Sequence, residues 1–207
     1  MDPDSTQFIF SIAVLVFSVV AHEVSHGYMA DWLGDTTARR AGRLTMNPVP
    51  HIDPIGSILV PVVMSLIPHG IVFGWAKPVP YNPYNLRDQR WGEAKVAAAG
   101  PLTNFTIALV FGLLMRFGAS TFSGSVLAIM QLIVLINLVL ALFNLFPIPP
   151  LDGSKVLASI LPHRLRYIEE YLERYSLIFL IFFVYVLWGY MFPVVTKLYG
   201  LITGFSV

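Results

Sequence analysis

The feature that most constrains this chain is His22-Glu23-Val24-Ser25-His26, set inside an apolar run at residues 8–32. Three ionisable side chains stand there in a stretch where hydrocarbon ordinarily tolerates none. The run is long enough to cross a bilayer, which takes roughly 20 residues. On a helix, His22 and His26 are four apart and project from one face, one turn above the other. That spacing lets two imidazoles bind one zinc ion, with Glu23 beside it, placed to take a proton from water. On a wet helix the same pattern is commonly a pair of solvated histidines. Residues 11–20 are almost wholly apolar, so solvation does not explain the motif here and metal binding does.

Composition points the same way. Of 207 residues, 56% are hydrophobic and 12% charged, and the mean hydropathy is +0.71. These values describe a membrane protein, not a soluble domain with a large core. A formal charge of +1 gives no reason to invoke nucleic acid. There is no cysteine, which excludes disulfides and thiolate ligands and leaves His and carboxylate for any metal. Met1-Asp2-Pro3-Asp4 lacks the basic region of a signal peptide, so the first apolar run is expected to stay as a membrane helix.

Further along the chain, residues 36–50 are polar, carry Arg39, Arg40 and Arg43, and are compatible with a short hairpin. Residues 47–54 are too rich in proline for a regular helix. Residues 55–67 form a second apolar run, interrupted by Pro61 and closed by Pro68. Its length suits a re-entrant segment better than a span. Residues 77–83 read as extended, turn-rich chain. Residues 92–117 form a third run, which Gly100-Pro101-Leu102-Thr103-Asn104 should kink and pack closely. Residues 126–146 form a fourth, ending at Pro147-Ile148-Pro149-Pro150-Leu151-Asp152-Gly153. Residues 154–174 suit the membrane interface, and residues 176–192 form a last span. Trp75, Trp91, Trp188 and nearby tyrosines fit an aromatic belt. His51 reads as a hydrogen-bonded loop histidine, and His69 and His163 as interfacial.

A tetrahedral catalytic zinc needs a third protein ligand. Asp152 is the candidate, because prolines free it from a lipid-facing helix, and such backbone at membrane depth must be buried in protein or line a cavity. An ordinary Asp-Gly turn explains the same residues equally well. Asn104 and Asn137 are compatible with the site or with polar contacts that join membrane helices.

His22-Glu23-Val24-Ser25-His26-Gly27, taken with Asn144-Leu145-Phe146-Pro147-Ile148-Pro149-Pro150-Leu151-Asp152-Gly153, resembles the site-two protease family of intramembrane zinc metalloproteases. Gly100-Pro101-Leu102-Thr103-Asn104 is similar to that family's middle core helix, and residues 47–56 resemble a compact prokaryotic branch. The resemblance implies one Zn2+ per chain, with His22, His26 and Asp152 as ligands and Glu23 as catalytic base. It also implies that Asn144 faces the site, where it could donate a hydrogen bond to the oxyanion. Larger family members carry PDZ or regulatory domains that this chain lacks. One domain is expected over 1–207, with its core at about 8–157 and an amphipathic segment and last span at 158–207.

The expected fold is all-α and polytopic, with about four transmembrane helices, a re-entrant hairpin and room for a small membrane-associated β element. If Asp152 meets His22 and His26, the helices carrying the two motifs run the same way, which a re-entrant segment at 55–73 permits and a full span there forbids. Charge agrees. With the N-terminus outside and that segment re-entrant, only Arg116 and Lys197 of the 13 Lys and Arg lie outside, as the positive-inside rule prefers. The zinc then lies nearer the cytoplasmic side of the cell membrane. The expected substrate is a transmembrane-helix protein that must unwind locally to be cut. The irregular chain at 47–84 is a place to hold the unwound strand by edge pairing, or else a connector. A metal-ion transporter and an inactive binding protein of the same fold are the rival readings. The first requires a second set of intramembrane ligands, and the second a missing ligand or base. Neither is seen.

Overall fold

The computed structural model describes residues 3–66, 74–162 and 166–206. Helix α1 covers Pro3–Trp32. Gly34 takes φ +109° as Asp35 N–H returns to Ala30 O, a left-handed stop that glycine adopts without strain. Short helix α2 (Thr37–Arg40) follows. A π turn at Pro54–Leu59 then leads into α3 (Val60–Ser65). Helices α4 (Gly92–Gly118) and α5 (Gly124–Asn144) form an antiparallel pair. Beyond them come α6 (Asp152–Ile160), α7 (Arg166–Arg174), α8 (Ser176–Phe182) and α9 (Trp188–Thr203), with a π turn at Phe183–Leu187 between the last two.

Three described helices are long and apolar enough to cross a membrane: Gln7–Trp32, Gly92–Gly118 and Gly124–Asn144. Polar contacts between them fix their directions. Ser18 meets Asn137 of α5, and His22 meets Asp152 beyond the end of α5, so α1 and α5 are parallel. His22 meets Asn104 and His26 meets Val96, so α4 runs against them. This arrangement is the parity that a re-entrant second segment requires. The helical run from α8 to α9 stands where the last span was expected. It buries Val195, Tyr199 and Ile202 against Ala108, Met115, Val134 and Leu138.

The described chain on the two flanks of the second apolar segment lies side by side. Trp75 N–H donates to Gly56 O and Lys77 N–H to His51 O, so the chain at 75–77 lies back beside its own start. Asp53 accepts from the N–H groups of Ile55 and Gly56, and Ser57 Oγ donates to Trp75 O. Residues 67–73, with His69, and His163 fall outside the described residues.

Two expectations need correction. No strand forms among the described residues, so the small β element is absent there. The polar stretch after α1 makes α2 instead of a hairpin, because Arg40, Ala41 and Arg43 return their N–H groups to Thr36, Thr37 and Ala38. Residues 74–82 form neither helix nor strand, and Pro78 and Pro80 carry no N–H and cannot continue a ladder.

Candidate metal centre

His22 and His26 lie buried on the inner face of α1. His22 Nδ1 is 2.5 Å from Asn104 Oδ1. The Asn104 amide nitrogen donates to Asn137 Oδ1 and Ser18 O, so its oxygen is the atom turned to His22 and must accept. His26 Nδ1 donates to Val96 O at 2.7 Å. Both rings are therefore held through Nδ1, which leaves Nε2 of each as the atom that can face a metal ion.

Those two nitrogens meet at Asp152. Its Oδ2 is 3.0 Å from His22 Nε2 and 3.3 Å from His26 Nε2. Two imidazole nitrogens and a carboxylate oxygen thus converge on one point, an arrangement that a cation can bridge. A tetrahedral zinc with bonds of about 2.0–2.1 Å separates its ligand atoms by roughly 3.3 Å, which both carboxylate distances approach. Among the described residues this is the one group of His and carboxylate side chains able to hold a metal ion. The donor set fits zinc.

The surrounding chain is shaped for this convergence. A Cβ on Gly100 would lie 2.5 Å from His22 Nε2 and 2.4 Å from His26 Nε2, so only glycine lets α4 pass beneath the pair. Asp152 opens α6 after the turn at 145–151, whose Pro149–Pro150 bond is cis. A Cβ on Gly153 would lie 2.1 Å from Leu145 O, so glycine also brings α6 under the end of α5. Ile148 and Leu151 pack this turn against Leu180 and Phe183.

The other expected residues stand nearby with different partners. Glu23 Oε2 accepts from the backbone N–H of Val79 at 2.9 Å. Asn144 donates its amide to Leu140 O within α5, and no contact brings it to the three ligand atoms. His51 is buried, with Nε2 turned to Thr45 O. Asn104, left open between two roles, orients His22. The support from Val96 O, the partnership of Glu23 with Val79 and the clearance at Gly100 were not foreseen. Only Gly100-Pro101, breaking an apolar run, was a visible signal. The segment at 74–82, a strap across α1, is tied at its far end by Asp35, which accepts from Asn82 N–H, Asn85 Nδ2, Thr37 N–H and Thr37 Oγ1. Burial pushes its carboxyl up, but the bonds from Thr37, Asn85 and Asn82 outweigh that and hold it below the ordinary carboxylate range.

These features define a helical membrane protein with a buried His-His-Asp centre. Comparison with known proteins gives the family. Residues 113–187 match Peptidase family M50. The chain is 36% identical over 192 residues to "Putative zinc metalloprotease YwhC" of Bacillus subtilis, covering 86% of this chain and 84% of that protein. It is 34% identical over 158 residues to "Putative zinc metalloprotease MJ0611" of Methanocaldococcus jannaschii, covering 72% of each. It is 33% identical over 153 residues to "Putative zinc metalloprotease Rip2" of Mycolicibacterium smegmatis, covering 70% of this chain and 55% of that one. No solved structure shows a significant match. The chain belongs to Peptidase family M50, the site-two protease family that its motifs resemble.

Proposed function

We propose that this protein is a zinc-dependent endopeptidase that hydrolyses peptide bonds in or near transmembrane segments of other proteins. The convergence of His22 Nε2, His26 Nε2 and Asp152 Oδ2 carries the reading, and membership of a peptidase family supports it. His22, His26 and Asp152 would hold the ion. Zinc supplies Lewis acidity toward water and toward the scissile carbonyl.

Glu23 is the proton carrier in this reading. Val79 N–H anchors its Oε2, and its Oε1 makes no hydrogen bond among the described residues. Oε1 takes a proton from the attacking water, and Glu23 returns it to the leaving amine nitrogen as the C–N bond breaks. Asn104 and Val96 O hold both imidazoles in register throughout. Asn144 can serve the oxyanion only after its amide leaves Leu140 O.

A helical substrate must unwind before its backbone reaches the site, and residues 74–82 offer an edge to receive it. The N–H groups of Trp75, Lys77 and Val79 are already spent on Gly56, His51 and Glu23. Pro78 and Pro80 carry no N–H, so the strap has few donors left for a substrate; the incoming strand would supply them to carbonyls other than those of Trp75, Lys77 and Pro78, which Ser57 and Arg43 occupy. We place the site in the cell membrane, nearer the cytoplasmic face, from the distribution of Lys and Arg. A transporter is not favoured, since the described residues hold no second ligand cluster.

The test is cleavage of model transmembrane peptides by detergent-purified, zinc-loaded protein, with Glu23→Gln alongside. Cleavage reduced about 10²–10⁴-fold in the variant is expected, the usual worth of general acid–base catalysis. Equal cleavage by both proteins would remove Glu23 from the mechanism. A wild-type protein that cuts none of a broad panel would contradict the reading itself.

A further inference from the structure

One buried charge has no part in the ligand set. Arg43 is 7% exposed, and no described carboxylate lies within ion-pairing distance of it. Burying a guanidinium without a counter-charge is costly, so what it does hold is informative. Its Nη2 donates to Lys77 O at 2.7 Å and to Pro78 O at 3.3 Å. Its Nε is buried and makes no hydrogen bond. The N–H that follows those two carbonyls belongs to Val79, and it is the one that donates to Glu23 Oε2.

The local chain is built to hold that grip. Gly42 takes φ +64°, and Arg43 N–H returns to Ala38 O, which turns the side chain back toward the strap. Lys77 N–H is taken by His51 O. Pro78 and Pro80 fix φ on either side of Val79. A Cβ on Gly27, one turn after Glu23 on α1, would lie 2.6 Å from Leu44 Cδ2 and 2.9 Å from Val79 Cγ1. Arg43's neighbour and Glu23's partner thus both sit against the same turn of α1.

We propose that Arg43 is a positioning residue for Glu23. It acts through the strap, clamping the carbonyls of Lys77 and Pro78 so that the Val79 N–H meets Glu23 Oε2 and fixes the carboxylate beside the metal ligands. Without the clamp, the three ligands keep their geometry while Glu23 loses its anchor. This inference rests on the reading of Glu23 as proton acceptor.

The experiment compares wild type, Arg43→Gln, Val79→Pro and Glu23→Gln in detergent. Three quantities are measured: zinc content, backbone hydrogen exchange over residues 76–82, and kcat and KM on a cleaved peptide. For Arg43→Gln the expected result is unchanged zinc, exchange in the strap about 10- to 100-fold faster, as befits loss of bonds from a charged donor, and kcat lowered about tenfold or more at nearly constant KM. Val79→Pro removes the donated N–H without touching Arg43, and should lower kcat likewise with zinc retained. Wild-type exchange or wild-type kcat in Arg43→Gln would overturn the inference, as would wild-type kcat in Val79→Pro. Zinc lost from both variants would also overturn it, since the strap would then support the fold and not the base. Glu23→Gln separates the two readings. If it cuts like wild type, the proton-acceptor reading fails. If it is inactive while Arg43→Gln turns over normally, only the present inference fails.

Discussion

Gly100→Ala sets two physical effects against each other. In an ordinary helix the change should stabilise, because glycine is about 0.8–1.0 kcal/mol less favourable than alanine in a helix interior. Here the added Cβ would stand 2.4 Å from His26 Nε2 and 2.5 Å from His22 Nε2, where real Cβ contacts essentially never fall below 3.0 Å. The rings, or α4 itself, must give by about 0.5–0.6 Å. Metal–ligand distances tolerate roughly ±0.2 Å, so the shift exceeds what the site can absorb. It also disturbs the hydrogen bonds to Asn104 and Val96 O, and loss of such a supporting partner costs about 10–100-fold in metal affinity. With both rings displaced, zinc affinity should fall on the order of 10²–10⁴-fold. The assay is competition with a zinc chelator on detergent-purified protein. Gly189→Ala is the control, since a Cβ there meets nothing within 4 Å, and it should leave zinc affinity unchanged. A Gly100→Ala protein binding zinc within a few-fold of wild type would refute the reasoning.

Three further outcomes follow from the same contacts. Asn104→Ala leaves His22 Nδ1 without its acceptor and should weaken zinc about 10–100-fold in the same chelator titration. Asp35→Asn should lower thermal stability at neutral pH. The folded-state carboxyl of Asp35 lies below its ordinary value, so its contribution is present above the unfolded pKa of about 3.9 and fades as pH falls below it. The difference from wild type should therefore narrow in acid, and a melting series across pH checks it. The chain has no cysteine, so single reporters are clean. Cysteines replacing Arg40 and Asn85 should label from one side of the membrane and a cysteine replacing Ser120 from the other. Opposite labelling at 40 and 85 would mean that the second apolar segment spans.

The pair of histidines was legible because helical spacing and the cost of charge in hydrocarbon act within a few residues of chain. Asp152 was half legible. Prolines marked it as released from its helix, yet the residues alone could not separate a ligand from an Asp-Gly turn. What brings it within reach of the histidines in space is Gly153, whose missing Cβ lets α6 start beneath Leu145. The expectation of a re-entrant segment came from length and charge, and the pairing of Trp75 with Gly56 brings the chain after that segment back beside its start. Other features depend on contacts that local pattern does not encode. Glu23 meets a backbone N–H 56 positions away, and a backbone donor leaves no trace in residue type. Arg43 stands with Arg39 and Arg40 in a polar stretch where nothing sets it apart, although it is buried. Residues 36–50 lack a clear period of either kind, so their turn into α2 was settled by backbone bonds back to Thr36, Thr37 and Ala38.

The central claim is that His22, His26 and Asp152 together hold one zinc ion. It is tested most directly by the metal content of the purified, detergent-solubilised protein beside its Asp152→Ala variant, which needs no substrate. About one zinc per chain, lost or greatly weakened in the variant, is the predicted result. Zinc bound equally well by both proteins would contradict it, reduce Asp152 to a turn residue, and remove the metal centre from the mechanism as drawn.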